Sequence, residues 1–528
     1  MVHPSRASYL NGPPQPLVLS ISQPAADPFE LYRRIARPDR PSFFLESGKG
    51  GALTARYSFM GSDPYMTLSG KNGSCAVKTP ERTVVSAQAP FDLLRRVLLD
   101  GKITRPDGVP PFFGGAIGFF SYDLARSFET LPTLAKDDLD LPDLCVAFVD
   151  LLAALDHRTR TLHLIFCPSL ERMLSEPREK LYREGCDRLA ELEARLTSRP
   201  LHADDAEPWG KLVMHPDQTR QAYMDRVRQC QEYIAAGDIY QANLSHRFTL
   251  NWEDAAVRPR PGSPILWQPF ALKLFNRLRR VNPAPFSAVL SFDDVCLVSC
   301  SPERLIRRQG NRVETRPIAG TRPRGRDRTE DRRLVDDLLA DQKERAEHLM
   351  LVDLERNDLG RVCEFGSVHV DEFMLVEQYS HVSHIVSNIA GTLRREMDAY
   401  DLIKAVFPGG TITGVPKIRC MEIIESLEPV RRGPYTGSLG YLSWSGDLDL
   451  NIVIRTLVLT GERGYLQVGA GIVADSDPAR EYDETLFKAQ AFFKALQETR
   501  TVWIFLNDRF VRAEEAVVSV FDHGFPLW

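Results

Sequence analysis

Short apolar runs separated by turn residues dominate the first 200 residues of the chain. Segments such as PSFFLES, ARYSFMGSDPY and LCVAFVDLLAALDH contain alternating or β-branched apolar residues bounded by Gly, Asp and Pro, which predicts sheet strands. A charged stretch from Glu171 to Leu196 predicts a helix. The apolar periodicity then stops in TSRPLHADDAEPWG, so a linker is expected near residues 197–212.

The second half of the chain combines helices and strands in an irregular order. Tyr223, Val227, Cys230 and Ile234 recur at helical spacing before Gly237, which predicts a helix that ends there. Further helices are predicted at 330–356 and 414–428, and strands at 436–444, 449–459 and 465–474. The irregular alternation favours an α+β fold over a doubly wound sheet.

Composition sets the broad class of the protein. The chain has 528 residues, 43% of them hydrophobic and 26% charged, which is typical of a soluble globular protein. A net charge of −5 argues against nucleic acid or an anionic membrane as a main partner, and no apolar run reaches the ~20 residues of a membrane helix.

The polar N-terminus lacks a signal-peptide pattern, and nine scattered cysteines without a metal spacing are expected to be reduced and mostly buried. A cytoplasmic location is therefore predicted.

Two pairs of glutamates could form a metal site. Glu344 and Glu347 are three residues apart on a predicted helix, and Glu481 and Glu484 are three apart near another helix start. Taken singly, each pair is better explained as a solvated helix face. If the two pairs converged, four carboxylates would require a cation, and Mg²⁺ suits an all-oxygen set that leaves water positions for a substrate carboxylate. No His–Cys set suggests zinc.

Two glycine-rich turns and two cations could hold an anion. FPGGTITGVPK and VGAGIV can bring successive backbone amides close to a ligand, although glycines in turns are more often structural. Arg455 and Lys488 would complement a carboxylate-bearing ligand. Arg455 is expected at the end of a buried strand, where an arginine is harder to explain as a surface residue.

A carboxyl group and two histidines complete the candidate chemistry. Glu303 follows Pro302 and an apolar strand, so it could face a cleft, where partial burial would raise its pKa and let it donate a proton. The alternative is a turn residue paired with Arg304. His381 and His384 are three residues apart, and at least one of them is more simply a hydrogen-bonded structural histidine.

Several segments, taken in order, resemble the family of chorismate-utilising enzymes. They are SPERL, RPIAGTRPRG, AEHLMLVDLERNDLGR, GGTITGVPKIRCMEIIESLEP and GAGIVADSDPAREYDET, within a resemblance that covers roughly residues 40–500. The family includes anthranilate, aminodeoxychorismate, isochorismate and salicylate synthases. The resemblance implies an α+β fold of the anthranilate synthase component I type, in which mainly antiparallel sheets pack together and are flanked by helices.

The resemblance also implies roles for particular residues. The four glutamates match a Mg²⁺ site that holds the ring carboxylate of chorismate. Glu303 matches the acid that helps the C4 hydroxyl to leave, and His384 matches a histidine close to that group. Arg455 matches a residue that faces the enolpyruvyl carboxylate. The substrate-binding positions implied by the family are Thr411, Tyr435, Arg455, Gly469, Gly471 and Lys488.

Gln241 and Ala319 separate the sister reactions of the family. Gln241 occupies the position where the water-adding relatives carry a lysine base, which disfavours isochorismate chemistry and leaves the two ammonia-using reactions. Most aminodeoxychorismate synthases carry at position 319 a lysine that attacks C2, whereas anthranilate synthases carry alanine there. Ala319 therefore resembles the anthranilate synthases, because a methyl group cannot form the covalent intermediate.

Other segments resemble the aminodeoxychorismate synthases instead. These are GGTITGVPKIRCMEII, TGSLGYLSWSGDLDLNIVIRT and a tail, VWIFLNDRFVRAEEAVVSVFDHGF, that is similar to the opening of aminodeoxychorismate lyase. Amination at C4 is therefore the expected activity, with anthranilate formation as the alternative. The expected organisation is an N-terminal domain at 1–200, a catalytic domain at 212–500 and a truncated lyase-like tail at 501–528.

Two partners besides chorismate are implied. No cysteine lies in the GxCxGxQ pattern of a glutamine amidotransferase, so ammonia is expected from a separate glutaminase subunit. The N-terminal half of family members forms a tryptophan-binding pocket, and FFLES matches its motif with Phe44 in place of the usual leucine. Tryptophan is therefore a further candidate ligand.

Overall fold

A computed structural model describes most of the chain. The described residues are 2–22, 27–37, 40–47, 56–197, 212–252, 267–292, 294–378, 382–496, 503–506 and 509–512. Most of the predicted linker at 197–212 lies outside these ranges, and His381 lies wholly outside them. So does most of the predicted lyase-like tail, of which the structure describes one two-stranded hairpin.

The described strands fall into two large antiparallel sheets and that small hairpin. In chain order they are β1 Val2–His3, β2 Leu17–Ser22, β3 Ser42–Glu46, β4 Tyr57–Ser62, β5 Met66–Lys71, β6 Ser74–Lys78, β7 Thr83–Ser86, β8 Gly115–Phe120, β9 Leu144–Val149, β10 Leu151–Asp156, β11 Thr161–Phe166, β12 Leu212–Pro216, β13 Gln241–Trp252, β14 Phe286–Phe292, β15 Val295–Ser301, β16 Arg304–Gln309, β17 Arg312–Arg316, β18 Ile318–Pro323, β19 His369–Gln378, β20 Val382–Thr392, β21 Gly414–Val415, β22 Ser438–Ser443, β23 Leu448–Ile452, β24 Thr456–Thr460, β25 Arg463–Ile472, β26 Trp503–Leu506 and β27 Arg509–Arg512.

The described helices pack against the two sheets. They are α1 Arg6–Asn11, α2 Pro28–Ile35, α3 Pro90–Asp100, α4 Leu170–Ser175, α5 Arg178–Thr197, α6 Arg220–Ala235, α7 Gln268–Val281, α8 Arg328–Ala340, α9 Gln342–Gly360, α10 Ala399–Val406, α11 Lys417–Leu427 and α12 Pro478–Leu496. Short 3₁₀ turns cover Tyr122–Ser127 and Gly410–Ile412.

Both large sheets contain strands from both halves of the chain. The first sheet runs β1, β2, β11, β10, β4, β3, β14, β15, β24, β25, β13, β12, with β21 also paired to β13. The second runs β18, β20, β17, β16, β23, β22, β8, β9, β5, β6, β7, with β19 on the free side of β20. The halves join where β3 pairs with β14 and where β8 pairs with β22. This architecture confirms the predicted α+β fold with packed antiparallel sheets. The domain division stays a prediction.

Two pairs of strands pass from one sheet into the other while remaining paired. β15 and β24 are neighbours in the first sheet, and their continuations, β16 and β23, are neighbours in the second. In the same way β4 and β10 pair in the first sheet, and β5 and β9 pair in the second. Each crossing contains one non-glycine residue at positive φ, Arg455 at 50° and Asp63 at 59°.

The structure corrects several predicted element boundaries. The single strand predicted at 449–459 is two strands of different sheets, β23 and β24, because the chain turns at Arg455. The helix predicted at 330–356 is two helices, because Asp341 ends α8 and its side chain accepts hydrogen bonds from the first amides of α9. Gly414 and Val415 form a short strand rather than the first turn of a helix, and α11 begins at Lys417.

The described side chains agree with the expected cysteine chemistry. All nine cysteines lie in the described ranges; eight are buried, and none forms a disulfide. Among the helices of the described ranges, none has the length and apolar character needed to span a bilayer.

A buried ion pair ties β13, α11 and the Gly410–Ile412 turn together. Glu428 accepts hydrogen bonds from the Ser245 amide at 2.8 Å and from the Arg432 guanidinium at 2.7 Å. Arg432 also donates to the carbonyl oxygens of Ile412 at 2.9 Å and Asn243 at 2.6 Å. Both side chains are almost inaccessible to water. Removing either partner would therefore leave the other charge buried without a counter-ion.

Glu428→Gln should therefore destabilise the protein by about 3 kcal/mol, because it leaves the Arg432 charge buried without a counter-ion. Urea-induced unfolding, followed by fluorescence, measures the loss. Glu422→Gln is the matched control, since Glu422 lies on α11 in a partly exposed pair with Arg419 and should cost less than about 1 kcal/mol. Equal losses for the two variants would contradict the assignment.

Candidate active site

Glu303 and Arg455 face each other across one of the paired crossings between the sheets. The Ile452 amide donates to the Glu303 carbonyl at 3.0 Å, and the Cys300 amide donates to the Arg455 carbonyl at 3.0 Å. These hydrogen bonds keep the two strands aligned while they change sheet. Arg455 holds a φ of 50°, a conformation that costs a non-glycine residue free energy and persists only where the surrounding structure holds it.

The Glu303 carboxyl group is buried among partners that stabilise its charge only in part. Burial raises the pKa of Glu303 to about 7, although the Thr411 hydroxyl, the Ile318 amide and the charges of Arg455 and Lys488 act in the opposite direction. A carboxyl group with this pKa is half protonated near neutral pH. Glu303 can therefore act as a proton donor, as its position after an apolar strand predicted.

Four buried polar atoms around Glu303 and the start of β13 lack a hydrogen bond of good geometry. Within the described ranges they are Oε1 of Glu303, Oγ1 of Thr411, Oε1 of Gln241 and Nδ2 of Asn243. Thr411 lies beside Glu303 and Asn243 beside Tyr435, so two of these atoms have weak partners among themselves or nearby. Because buried polar atoms are nearly always well paired in folded proteins, these groups are suited to a polar ligand.

The segment Ile318–Thr321 connects several of the candidate groups. Its first amide lies beside Glu303, and a Cβ built on Gly320 would lie 3.2 Å from Oε2 of Glu344. Gly320 has a φ of +68°, so a larger residue would be strained there and would crowd this carboxylate. Ala319 lies between these two contacts, on β18, where it pairs with Ile385 of β20.

His384 lies on β20 against the same segment. Its Nδ1 is 2.9 Å from the Thr321 hydroxyl and 3.3 Å from the Gly320 carbonyl oxygen. Burial, reinforced by the Arg455 charge, lowers the pKa of His384 to about 4, so the ring is neutral at pH 7. His384 therefore adds hydrogen-bonding capacity to the site without adding a positive charge.

Gln241 and Asn243 lie on one face of β13, opposite the glycines of β25. A Cβ on Gly471 would come within 2.6 Å of the Gln241 amide nitrogen. A Cβ on Gly469 would come within 2.8 Å of the Tyr435 hydroxyl and 3.1 Å of the Asn243 amide nitrogen. The glycines therefore make room for these side chains. Sequence reasoning missed Asn243, although the period of two from Gln241 was a signal that could have found it.

The four glutamates lie on two helices at the edge of this site. Glu344 and Glu347 occupy the first turns of α9, and Glu481 and Glu484 those of α12. Burial raises the pKa of Glu347, and the charges of Glu344, Glu481 and Glu484 raise it further. The two pairs are thus within electrostatic range of each other, as a shared cation site requires.

These carboxylates do not converge closely enough to form a metal site as they stand. Within the described ranges, no three His, Cys, Asp or Glu side chains are grouped as metal ligands. Instead, Glu344 accepts from Arg322 at 3.0 Å and Glu484 from Lys488 at 2.7 Å, while Glu347 lies 3.7 Å from Lys343. The donor set is chemically suited to Mg²⁺, because it offers only carboxylate oxygens from two mutually repelling pairs.

Lys488 connects the glutamates of α12 with β25. Besides its contact with Glu484, its ammonium group donates to the Gly469 carbonyl at 2.9 Å. Lys488 is therefore placed between a proposed metal ligand and the Tyr435–Gly469 region.

A cavity of about 790 Å³ lies between the two sheets. Leu45 and Glu46 of β3 line it, together with residues of β14, β16, β22 and β23. Phe44 points away from this cavity into the core, where its ring stacks on Tyr32 at a centroid distance of 5.0 Å. The departure from the family motif at position 44 therefore changes the core packing and leaves the cavity lining intact.

The family described as "chorismate binding enzyme" matches residues 40–494. The chain belongs to this family. It is 42% identical to aminodeoxychorismate synthase component 1 of Bacillus subtilis (strain 168), with 89% of this chain and 94% of that protein covered. It is 43% identical to anthranilate synthase component 1 of Thermus thermophilus, with 89% and 95% covered.

A solved structure agrees with the family assignment. The crystal structure of anthranilate synthase component I from Streptococcus pneumoniae superposes with a TM-score of 0.71 at 33% identity and covers 84% of this chain and 95% of that one. The family and the fold that the sequence motifs predicted are thereby confirmed. The individual roles of the site residues stay predictions.

Glu303→Gln should change the pH dependence of stability in a defined direction. Because the folded pKa of Glu303 is raised above its ordinary value of 4.5, stability is full below pH 4.5 and falls as the pH rises toward 7. Glu303→Gln has no titrating group at this position and does not lose stability in this way. The free energy of unfolding of the variant, relative to that of the wild type, should therefore increase by about 2 kcal/mol between pH 5 and pH 8.

Urea unfolding of the two proteins at both pH values measures this difference, and common titrations cancel in the comparison. Glu422→Gln serves as the control, because Glu422 is partly exposed on α11. A stability difference between Glu303→Gln and the wild type that does not depend on pH would contradict a raised pKa at Glu303.

Proposed function

We propose that the protein is component I of an aminodeoxychorismate synthase, which converts chorismate and ammonia into 4-amino-4-deoxychorismate for p-aminobenzoate and folate biosynthesis. The chain is a chorismate-utilising enzyme of the anthranilate and aminodeoxychorismate synthase component I type. The observation that carries the finer proposal is the resemblance of two segments, GGTITGVPKIRCMEII and TGSLGYLSWSGDLDLNIVIRT, to the aminodeoxychorismate synthases. The contacts of Ile318–Thr321 with the buried acid Glu303, the neutral His384 and the first glutamate helix support a chorismate site of the kind that both candidate reactions need.

Mg²⁺ is the proposed cofactor, held by Glu344, Glu347, Glu481 and Glu484. When bound, it would supply the positive charge that holds the ring carboxylate of chorismate against four negative side chains. Thr411, Tyr435, Arg455, Lys488 and the backbone of Gly469 and Gly471 would bind the rest of the substrate. The Arg455 guanidinium is proposed to face the enolpyruvyl carboxylate, because a fork of N–H donors suits a carboxylate.

Glu303 is proposed to protonate the departing C4 hydroxyl. Its raised pKa keeps part of the population protonated at neutral pH, which general acid catalysis requires. His384 is proposed to lie near the same hydroxyl and to act as a neutral hydrogen-bonding group. Gln241 cannot deprotonate water, so ammonia, which needs no base to become a nucleophile, is the proposed attacking group.

Ammonia is proposed to come from a separate glutaminase subunit. Two observations support this partner: the sequence lacks a GxCxGxQ nucleophile motif, and the relatives are named as first components of their enzymes. The cavity at β3 is the proposed site for tryptophan. A cytoplasmic location stays a prediction.

Anthranilate synthase component I is the second candidate function, and Ala319 favours it. A methyl group at this position cannot form the covalent intermediate that the resemblance assigns to lysine. The motifs GGTITGVPKIRCMEII and TGSLGYLSWSGDLDLNIVIRT favour amination at C4. Under the leading proposal, ammonia reaches C4 by a route that does not use the side chain at position 319.

Product analysis distinguishes the two reactions. The purified protein, supplied with chorismate, Mg²⁺ and ammonium at pH 8.5, should yield 4-amino-4-deoxychorismate, identified by mass spectrometry after chromatography. Added aminodeoxychorismate lyase should convert this product into p-aminobenzoate. Fluorescent anthranilate that forms without added lyase would refute the leading proposal in favour of the second.

Glu481→Gln should lower Mg²⁺-dependent turnover by at least about a hundredfold, because it removes one proposed metal ligand. Asp483→Asn is the control on the same helix, since Asp483 is exposed and pairs with Arg220. It should retain turnover within about twofold. Steady-state rates measured across a Mg²⁺ series test both variants, and undiminished turnover in Glu481→Gln would remove Glu481 from the metal site.

A further inference from the structure

We infer that Arg322 is an internal counter-ion of Glu344, which competes with the divalent cation for this carboxylate and so weakens metal binding before chorismate arrives. The inference rests on the proposed function, since the metal site is proposed there. It concerns a residue of the RPIAGTRPRG segment to which neither the sequence motifs nor the proposed chemistry assigned a role.

Arg322 is held beside Glu344 by more than one contact. Its guanidinium donates to Oε1 of Glu344 at 3.0 Å, to Oδ2 of Asp341 at 2.7 Å and to the Thr321 carbonyl at 3.0 Å. Two of these acceptors remain if Glu344 turns toward a metal ion. Because a planar guanidinium is oriented by such a set of acceptors, Arg322 would stay within reach of Glu344 and continue to compete for it.

Two other glutamates of the site also have basic neighbours, but neither neighbour is as suitable for a test. Lys343 lies 3.7 Å from Glu347 and is itself largely exposed, so this pair contributes little. Lys488 pairs closely with Glu484 but also donates to the Gly469 carbonyl, and it is a proposed substrate contact. Arg322 is therefore the basic side chain whose removal tests the competition without disturbing the proposed substrate contacts.

Three basic residues, Arg322, Lys343 and Lys488, offset part of the negative charge of the four glutamates in the metal-free site. Four carboxylates within electrostatic range would otherwise repel one another more strongly. Arg322 thereby stabilises the protein without metal, and the same contact must be exchanged when a cation binds Glu344.

Magnesium titration without substrate tests the inference. The dissociation constant of Mg²⁺, measured by isothermal titration calorimetry in the absence of chorismate, should fall about fivefold in Arg322→Gln, the effect expected when a partly exposed ion pair is removed. The melting temperature of the metal-free variant should fall, and the increase on adding Mg²⁺ should exceed that of the wild type.

Two variants separate charge from packing. Arg322→Lys keeps the positive charge and should bind Mg²⁺ within about twofold of the wild type. Arg324→Gln is the matched control, because Arg324 follows the same strand but pairs with Asp331 at 2.7 Å, away from the four glutamates. It should leave the Mg²⁺ affinity unchanged.

The results distinguish a failure of this inference from a failure of the metal site. The inference alone would be overturned if Arg322→Gln bound Mg²⁺ as tightly as the wild type or more weakly, provided that the wild type binds Mg²⁺ and Glu481→Gln does not. Unchanged binding would mean that Arg322 does not compete with the cation. Weaker binding would mean that Arg322 orients Glu344 as a ligand. A wild-type protein that binds no Mg²⁺ would overturn both the inference and the proposed metal site.

Discussion

The continuous pairing of two strands through a change of sheet is the constraint on which the site depends. Backbone hydrogen bonds on both sides of the crossing place Glu303 in the interior and the half-buried Arg455 beside it, so water cannot fully solvate the carboxyl group. At this crossing the chain changes direction at Arg455 with a positive φ, and at the second crossing Asp63 does the same. The partner strand of each pair passes between the sheets without a residue of positive φ.

Burial shifts the pKa values of Glu303 and His384 in opposite directions. The same loss of hydration raises the pKa of the Glu303 carboxyl group and lowers that of the His384 imidazole, so both neutral forms are accessible near pH 7. Arg455 moves both pKa values downward, which limits the rise at Glu303 and reinforces the neutrality of His384. The same buried environment therefore explains both the protonated fraction of Glu303 and the neutral form of His384.

The sequence alone predicted the fold class and the family, because local patterns of apolar residues and a set of ordered motifs carry that information. It failed where long-range pairing decides the structure. The run 449–459 appears as one apolar strand, and only the pairing of β23 with β16 and of β24 with β15 shows that the chain changes sheet there. Likewise, the spacing of Glu344 and Glu347 indicated a shared helix face, but the counter-ion Arg322 comes from a separate strand. Asn243 was missed because its role depends on Gly469 and Tyr435, which are distant in sequence.

The segment around Ala319 can contribute to chemistry without a reactive side chain. The Ile318 amide contacts the Glu303 carboxyl group, and Gly320 leaves space for the Glu344 carboxylate. The Thr321 hydroxyl contacts His384. The arginines of the segment pair with acidic residues on three other elements, Arg316 with β19, Arg322 with α9 and Arg324 with α8. These ion pairs fasten the strand on several sides, so its backbone groups are held in place relative to Glu303. The methyl group at 319 offers no nucleophile. Under the proposed function, the choice between attack at C2 and attack at C4 therefore follows from the direction in which ammonia approaches the bound substrate.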